Sequence, residues 1–286
     1  MCAVPSRYGA TKVKNEIAKD ARWLTSFVES IIRRRDNQSR SRGGDDEVLL
    51  ASTESVNALH HHDLLDVMME ATTTEPKKLT KKQLVDNALT FLLAGHETTA
   101  SLLTWTIYLL AKHPLWQERA RAEVEEFCPD GFIEPQVLTH LKLVGMILFE
   151  SLRLFPPVPL IGRTCIQTNR VGPTLVVPEG LEIVIPVAVV HRDKSIWGEN
   201  ADEFWPARFG DGISGACGNP LAFIPFGAGP RTCIGQTLAI SEAKAVLAVM
   251  LPLFTWKLGS SYSHSPDVTL TMMPEFGMPI VLEKLH

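Results

Sequence analysis

The stretch Phe226-Gly227-Ala228-Gly229-Pro230-Arg231-Thr232-Cys233-Ile234-Gly235 places a single cysteine between glycines, directly before a predicted helix. Free backbone N–H groups at a helix N-terminus favour a negatively charged sulfur, so this position suits a thiolate that binds a metal. Gly229 and Gly235 leave room for a flat ligand to approach the backbone, and Arg231 offers a fork of donors for a carboxylate. The alternative is a buried structural cysteine, which leaves the glycines and the arginine unexplained.

A second candidate site lies inside a long predicted helix. Apolar residues at helical spacing run from Lys81 to about Lys112, and Thr80 and Gln83 form a capping-box pattern at the start. The run Ala94-Gly95-His96-Glu97-Thr98-Thr99 occupies the middle. Because a glycine in a helix interior costs about 0.5–1 kcal/mol relative to alanine, this run needs a reason other than helix propensity. Close helix packing and a catalytic groove are both compatible with these residues alone.

A pair of opposite charges forms a third feature. Glu150 and Arg153 lie at i and i+3 on a helix predicted from Leu141 to Leu154. Such pairs are frequent on exposed helix surfaces, where they contribute little to stability. The neighbours of this pair are apolar, however, so we expect it to be buried and bonded to further partners.

Together, these three features resemble those of the haem-thiolate monooxygenases of the cytochrome P-450 family, and in particular of its plant members. Every fixed position of the pattern FxxGxRxCxG is met in the cysteine loop, and the match extends from about Lys81 to the C-terminus. The resemblance implies that Cys233 is the iron ligand of a haem b. It also implies that Thr98 hydrogen-bonds the iron-bound oxygen species in a widened helical turn, while Glu97 relays protons. The residues that it implies in haem binding are Arg163, Phe226, Gly229, Arg231 and Gly235.

The same resemblance assigns supporting roles to other residues. It implies that Phe204-Trp205-Pro206-Ala207-Arg208-Phe209 adds Arg208 to the Glu150 and Arg153 pair, although the family more often has Glu at the Ala207 position. The resulting cluster would support the haem loop. His191-Arg192-Asp193 also resembles a family element and receives no catalytic role. For Arg163, a surface arginine is an alternative to binding of a haem propionate.

The expected fold is mainly α with a small β component, a cytochrome P-450 fold that lacks its N-terminal part. We expect one domain over 1–286, with a helix in 1–36, a polar loop and short helix in 37–79, and a haem-binding catalytic core in 80–286. Within the core, the patterns predict helices at 115–127, 141–154 and 238–251, the last ending at Pro252, a hairpin over 174–185, and strands at 254–258, 268–271 and 280–282.

Composition excludes several classes of function. Twenty-eight basic and thirty-two acidic residues give a formal charge of −4, so nucleic acid is not an expected partner. The five cysteines include no CxxC pair, which argues against a disulfide framework or a zinc site. His60-His61-His62 is interpreted as solvent-facing rather than metal-binding, because adjacent residues on a helix point in different directions. The window 89–110 is nearly long enough to span a bilayer, but His96 and Glu97 favour a buried helix.

The implied function is insertion of one oxygen atom of O2 into a small lipophilic substrate. No nicotinamide or flavin site is predicted, because Thr232 stands where a dinucleotide fingerprint needs its last glycine. Electrons would therefore come from a separate reductase, by resemblance an NADPH-dependent flavoprotein. The resemblance places the enzyme on the cytosolic face of the endoplasmic reticulum membrane, although no anchor is expected in this chain. The alternative is a non-catalytic truncated fragment that binds haem weakly or acts only as a protein-interaction module.

Overall fold

The computed structural model describes residues 7–42, 63–73 and 78–285, which fall in two compact units, 1–94 and 95–286. Helices dominate, as predicted, and the described strands form four two-stranded antiparallel sheets. Helices α1 to α9 are Arg7–Arg42, Leu64–Glu70, Lys81–Lys112, Pro114–Phe127, Lys142–Leu154, Val187–Val190, Lys194–Trp197, Gly212–Cys217 and Gln236–Leu253. Strands β1 to β8 are Ile161–Thr164, Asn169–Val171, Leu175–Val177, Glu182–Ile185, Phe254–Leu258, Pro266–Val268, Met272–Pro274 and Ile280–Lys284.

Helix α1 is longer than its sequence pattern predicts. It continues to Arg42, so the prediction of a polar loop from residue 37 is wrong for residues 37–42. These residues are polar but include neither glycine nor proline, and Gly43 is the first such residue after the helix. The predicted loop from residue 43 onward and the histidines His60 to His62 lie outside the described residues.

Arg35 joins α1 to the start of α2 within the unit of residues 1–94. Its guanidinium donates to Asp63 Oδ2 at 2.8 Å and to both carboxylate oxygens of Asp66 at 3.0 and 3.1 Å. Asp63 also caps α2, because its side chain accepts a hydrogen bond from the Asp66 backbone N–H. The predicted short helix is therefore present, and its N-terminus is fixed by charge and capping together.

Helix α3 begins and ends where the sequence predicts. The Thr80 N–H donates to Gln83 Oε1 at 2.9 Å, and the Gln83 N–H donates to Thr80 Oγ1 at 3.2 Å, so the predicted capping box is confirmed. At the other end, Pro114 occupies the first turn of α4, where its missing N–H has no helical partner to lose.

The hairpin predicted between residues 174–177 and 181–185 is wrong. Strand β3 pairs with β2, with Val171 opposite Leu175, and β4 pairs with β1, with Thr164 opposite Glu182. Gly172, with φ of 62°, supplies the turn between β2 and β3, so this smaller hairpin lies inside the β1–β4 connection. The sequence pattern predicts that β3 and β4 pair with each other. In the structure, β2 pairs with β3 and the outer strands β1 and β4 pair with each other.

Two smaller corrections concern the C-terminal region. Helix α9 continues through Pro252 and ends one residue later, at Leu253, so few residues follow the proline that removes a helical N–H. The strand predicted at 268–271 is instead β6, which ends at Val268. Since Val268 pairs with Met272, the residues between them form the turn to β7. The predicted strand β5 is present as expected, paired with β8.

The core of the second unit lies among α3, α4, α5 and α9. Trp105, Leu110, Leu148, Leu247 and Leu251 are fully buried there. Among the described helices, α9 alone has the length and apolar composition that would suit a membrane span. Its buried face belongs to this core.

Candidate functional site

The cysteine loop is closed by backbone hydrogen bonds. The Cys233 N–H donates to the Phe226 carbonyl at 2.9 Å, and the Thr232 N–H donates to the Gly229 carbonyl at 3.0 Å. Gly227 and Gly229 have φ of 72° and 73°, a left-handed conformation that disfavours any other residue. Gly229, which the pattern requires, and Gly227, which it does not, therefore serve the turn, and the turn holds the backbone of Cys233.

The Cys233 thiol stands at the surface before α9. It is exposed, whereas Cys128 is buried and the other described cysteines, Cys165 and Cys217, are partly buried. Gly235 is the N-cap of α9, so Cys233 lies two residues before the cap, as the sequence predicts. A Cβ at Gly235 would lie 3.8 Å from Cys233 Sγ, in contact with the sulfur, so glycine keeps this side of the thiol open.

The surroundings of the thiol fit a haem. Ile234 and Leu238 are 77% and 70% exposed, so large apolar side chains flank Cys233 without a protein partner that covers them. A Cβ at Gly229 would meet nothing within 4 Å, which leaves space beside the loop. A soft sulfur donor with apolar neighbours and an exposed Arg231 matches an iron porphyrin that carries two carboxylates.

The predicted oxygen-side residues share one turn of α3. Glu97 and Thr98 are half-buried, and the next residue, Thr99, is buried with no hydrogen-bond partner for its Oγ1 in the described part of the chain. A Cβ at Gly95 would meet nothing within 4 Å. The helix is α-helical through Gly95, so the expected widened turn is not marked by a change in helix type. An open glycine and an unsatisfied hydroxyl nevertheless lie at this turn.

The two predicted propionate arginines stand on different elements. Arg231 is exposed in a 3-10 turn of the cysteine loop. Arg163 is exposed on β1, and its Nη1 donates to the carbonyl of the preceding residue, Gly162, at 2.8 Å. Cys233 with its loop, the α3 turn and β1 thus supply the predicted site residues from three separate elements of one unit.

Glu150 and Arg153 form the predicted buried pair. Both side chains are fully buried, and the guanidinium binds the carboxylate through two parallel bonds, Nε to Oε2 and Nη2 to Oε1, each 2.8 Å long. The Trp205 N–H donates to Glu150 Oε1 at 2.9 Å. Arg153 also donates to the carbonyls of His191 and Glu203 at 2.9 and 3.0 Å, and further to that of Ala201. Nearly every polar atom of the pair is therefore satisfied.

Arg208 joins this cluster, as the sequence resemblance implies. Its Nε lies 3.6 Å from Glu150 Oε1, and its two Nη atoms donate to the carbonyls of Trp197 and Asn200 at 2.8 and 2.9 Å. Burial lowers the pKa of the Arg208 guanidinium from its ordinary value, and the negative charge of Glu150 opposes this change. One carboxylate thus neutralises part of the charge of two arginines and ties α5 to the segment 197–208.

His191 is a link that sequence reasoning missed. Its Nε2 accepts a hydrogen bond from the Ile224 N–H at 3.0 Å, two residues before Phe226 of the cysteine loop. Its carbonyl accepts from Arg153, and its ring stacks on Phe223 with centroids 5.4 Å apart. The sequence marks this position only as a family-like motif. The structure shows that the buried ion cluster and the cysteine loop are connected through His191.

His191 should make stability depend on pH. Burial lowers its pKa to about 4, against the opposing effect of the Arg153 and Leu152 backbone, while an unfolded histidine has a pKa of about 6.5. The unfolded chain therefore binds the proton more readily, and stability present above pH 6.5 is lost as the pH falls toward 4. We expect the free energy of unfolding to fall by about 2 to 3 kcal/mol between pH 6.5 and 4.5 on this account.

Urea unfolding at a series of pH values measures this effect. In His191→Phe the fall on acidification should shrink by that amount, whereas His140→Gln, at an exposed histidine, should keep the wild-type slope. Equal slopes for wild type and His191→Phe would contradict the assignment.

Comparison with known proteins adds a family match. The family model described as Cytochrome P-450 matches residues 5–282. The chain is 42% identical over 232 residues to secologanin synthase 2 of Catharanthus roseus, covering 78% of this chain and 44% of that protein. It is 36% identical over 280 residues to 11-oxo-beta-amyrin 30-oxidase of Glycyrrhiza uralensis, covering 95% of this chain and 50% of that protein. The chain spans about half the length of the curated relatives it matches.

Proposed function

The chain belongs to the cytochrome P-450 family, and on that premise we propose that it is the haem-binding part of a monooxygenase that inserts one oxygen atom of O2 into a small lipophilic substrate. The observation that carries the proposal is the exposed Cys233 thiol, held by a bonded loop between glycines and flanked by uncovered apolar side chains. A structural cysteine would be buried like Cys128.

Different residues of the chain would have different roles in such a reaction. A bound haem, which we propose to be haem b, would supply the activation of O2, and Cys233 would provide its thiolate ligand. Arg231 and Arg163 would bind the propionate carboxylates through their guanidinium groups. Ile234 and Leu238 would be covered by the apolar body of the cofactor, which excludes water beside the thiolate.

The α3 turn would handle protons. The Thr98 hydroxyl would donate a hydrogen bond toward the oxygen-binding side, and the half-buried Glu97 carboxylate would collect protons from solvent and pass them inward. Gly95 is exposed and a Cβ there would meet nothing within 4 Å, so a small ligand or water could approach the backbone at this turn. A site that served only helix packing would need neither a proton carrier nor space for a ligand, whereas a turn that delivers protons needs both.

The electron donor of the proposed reaction would be a separate protein. We propose an NADPH-dependent flavoprotein reductase in this role, and a location at the cytosolic face of the endoplasmic reticulum membrane, on the ground of family membership. A lipophilic substrate agrees with the name of one relative, which gives oxidation at a numbered position of 11-oxo-beta-amyrin.

Haem binding is the direct test. The chain is produced with haem supply, and its reduced, carbon-monoxide-bound absorption spectrum is recorded. We expect a red-shifted Soret band of the thiolate type, because a thiolate ligand would donate electron density to iron. Failure to take up haem would overturn the proposal for this chain. Haem uptake without turnover in the presence of reductase would instead favour the alternative of a non-catalytic haem-binding fragment.

Thr98→Ala should uncouple electron consumption from oxygen insertion. The Thr98 hydroxyl would no longer help to deliver protons to the oxygen-binding side, and we expect product per electron pair to fall by at least about tenfold, since acid–base contributions are typically about 10²–10⁴-fold. The measurement compares NADPH consumed, peroxide released and product formed. Thr90→Ala, an exposed threonine on the same helix whose Oγ1 donates to Asp86, is the matched control. Unchanged coupling in Thr98→Ala would contradict this role.

A further inference from the structure

An aromatic chain connects the interior of the second unit with its surface. Trp105 is fully buried on α3, and its ring centroid lies 5.6 Å from that of Tyr108. Tyr108 lies 5.5 Å from Tyr262, and the Tyr262 hydroxyl is 2.8 Å from Nδ1 of His264. His264 is exposed and stacks on Tyr108 at 5.0 Å with an interplanar angle of 10°. Each ring thus touches the next.

The polar partners of these rings differ, and the difference favours electron transfer from Tyr262 toward Trp105. The Trp105 indole N–H donates to the Met272 carbonyl at 2.8 Å, and a carbonyl is too weak a base to remove that proton. Lys112 Nζ lies 5.7 Å from the Tyr108 ring centre, so a positive charge on that ring is disfavoured. Within the described part of the chain, Tyr262 alone among the three rings has a nitrogen base within hydrogen-bonding distance of its ionisable group.

We propose that Trp105, Tyr108 and Tyr262 form a route for single electrons, with Tyr262 and His264 as its redox-active end. A one-electron oxidant takes an electron from Trp105, and an electron from the Tyr262 phenol replaces it through the intervening Tyr108 ring. The Tyr262 O–H bond breaks, its proton binds His264 Nδ1, and the products are a neutral phenoxyl radical, an imidazolium and the reduced oxidant. An external thiol then gives one electron to the phenoxyl radical, becomes a thiyl radical and releases its proton to solvent, and the resulting phenolate takes its proton back from the His264 imidazolium.

The resting protonation of the pair suits this step. Burial, together with Tyr108, raises the pKa of Tyr262 to about 12, so the phenol keeps its proton. His264 is exposed as a residue, but its ring is partly covered by the stacked Tyr108 ring. This partial burial, with the positive charges of Lys112 and Arg192, lowers the pKa of His264, so its imidazole is neutral near pH 7. A neutral imidazole has a free lone pair, and 2.8 Å is within the range for direct proton transfer.

The buried end of the route lies close to the proposed oxygen-activating turn. Trp105 follows Thr98 by seven residues on α3, which is about 10 Å along the helix axis. In a monooxygenase this route would carry an oxidising equivalent to the surface when no substrate consumes it. The route depends only on the protein side chains. A test without haem can therefore fail while the proposed function stands, and the reverse also holds.

Pulse radiolysis of the full chain in azide solution tests the route. The small, neutral azide radical oxidises the exposed Trp23 and Trp205 more readily than the buried Trp105. The part of the signal that passes through Trp105 is therefore the part that Trp105→Phe removes, and an unchanged signal in that variant would contradict the route. Absorbance follows the indolyl radical as it decays and the phenoxyl radical as it forms. We expect both changes to share one first-order rate that does not depend on protein concentration. The chain has three tyrosines, Tyr8, Tyr108 and Tyr262. Tyr262→Phe should remove most of the phenoxyl signal, and the matched control Tyr8→Phe should retain it.

The role of His264 has its own measurements. His264→Gln removes the base and should lower the first-order rate about tenfold, which corresponds to about 1.4 kcal/mol in the barrier. The wild-type rate should also be lower in D2O. A phenoxyl signal unchanged in Tyr262→Phe, its loss in Tyr8→Phe, or an unchanged rate in His264→Gln would each overturn the proposal.

A measurement on the wild type covers the case in which a variant does not fold. A nitroso spin trap is added before radiolysis, and the modified peptides are located by mass spectrometry. An adduct on Tyr262 supports the route. Adducts confined to Tyr8 or Tyr108 contradict it.

Discussion

Substitution of Cys233 by serine is expected to abolish the red-shifted Soret band of the reduced, carbon-monoxide-bound protein. A serine hydroxyl is a hard and weakly acidic ligand, so it cannot replace the electron donation of a thiolate. Loss of haem affinity should exceed the roughly 10- to 100-fold loss that is typical when only an outer partner of a metal ligand is removed. The spectrum and a haem titration of the purified variant measure both effects.

The same substitution should leave the fold intact, which makes the result specific. The loop is held by the backbone N–H of Cys233, which serine retains, and the thiol itself is exposed. We therefore expect the free energy of unfolding without haem to change by less than about 0.5 kcal/mol. Cys165→Ser is the matched control, because Cys165 is also a free cysteine but lies beside β1. A thiolate band that survives in Cys233→Ser, or disappears in Cys165→Ser, would exclude Cys233 as the ligand.

Features with local causes were predicted well from the sequence. The ends of α3 depend on residues within a few positions of them, namely the Thr80 and Gln83 capping box and the Pro114 that starts α4. The cysteine loop is equally local, since glycines at positive φ and two backbone hydrogen bonds determine its turn. The local pattern therefore predicted that Cys233 lies directly before a helix, and its role as a ligand stays a prediction.

Features that depend on pairing across the chain were not predicted. The strand pattern identified β3 and β4, but their partners β2 and β1 follow from the ladder and not from proximity in sequence. The His191 bond to Ile224 and the Tyr262 contact with Tyr108 join segments that carry no mutual sequence signal. The sequence shows which chemical groups a histidine or tyrosine carries, whereas the residue that contacts it is known only from the folded structure.

Glu150→Ala should produce the largest loss of stability among the substitutions considered. It removes the carboxylate and leaves the Arg153 guanidinium, which is 0% exposed, without its counter-charge in the interior. It also removes the acceptor of the Trp205 N–H and the negative charge nearest to Arg208. Breaking one partner of a buried pair costs about 3–5 kcal/mol, which is a large part of the stability of an ordinary domain. Urea unfolding measures the change.

A surface ion pair in the same unit provides the control. Glu283 accepts from Lys257 Nζ at 3.0 Å, a distance close to that of the buried pair, but the two side chains are 59% and 67% exposed. Glu283→Ala should therefore cost at most about 1 kcal/mol, since water screens the charge that remains. Because His191 connects the cluster to Ile224, Glu150→Ala should also weaken haem retention, whereas Glu283→Ala should not. Equal losses of stability in the two variants would show that the buried cluster contributes no more than a surface pair.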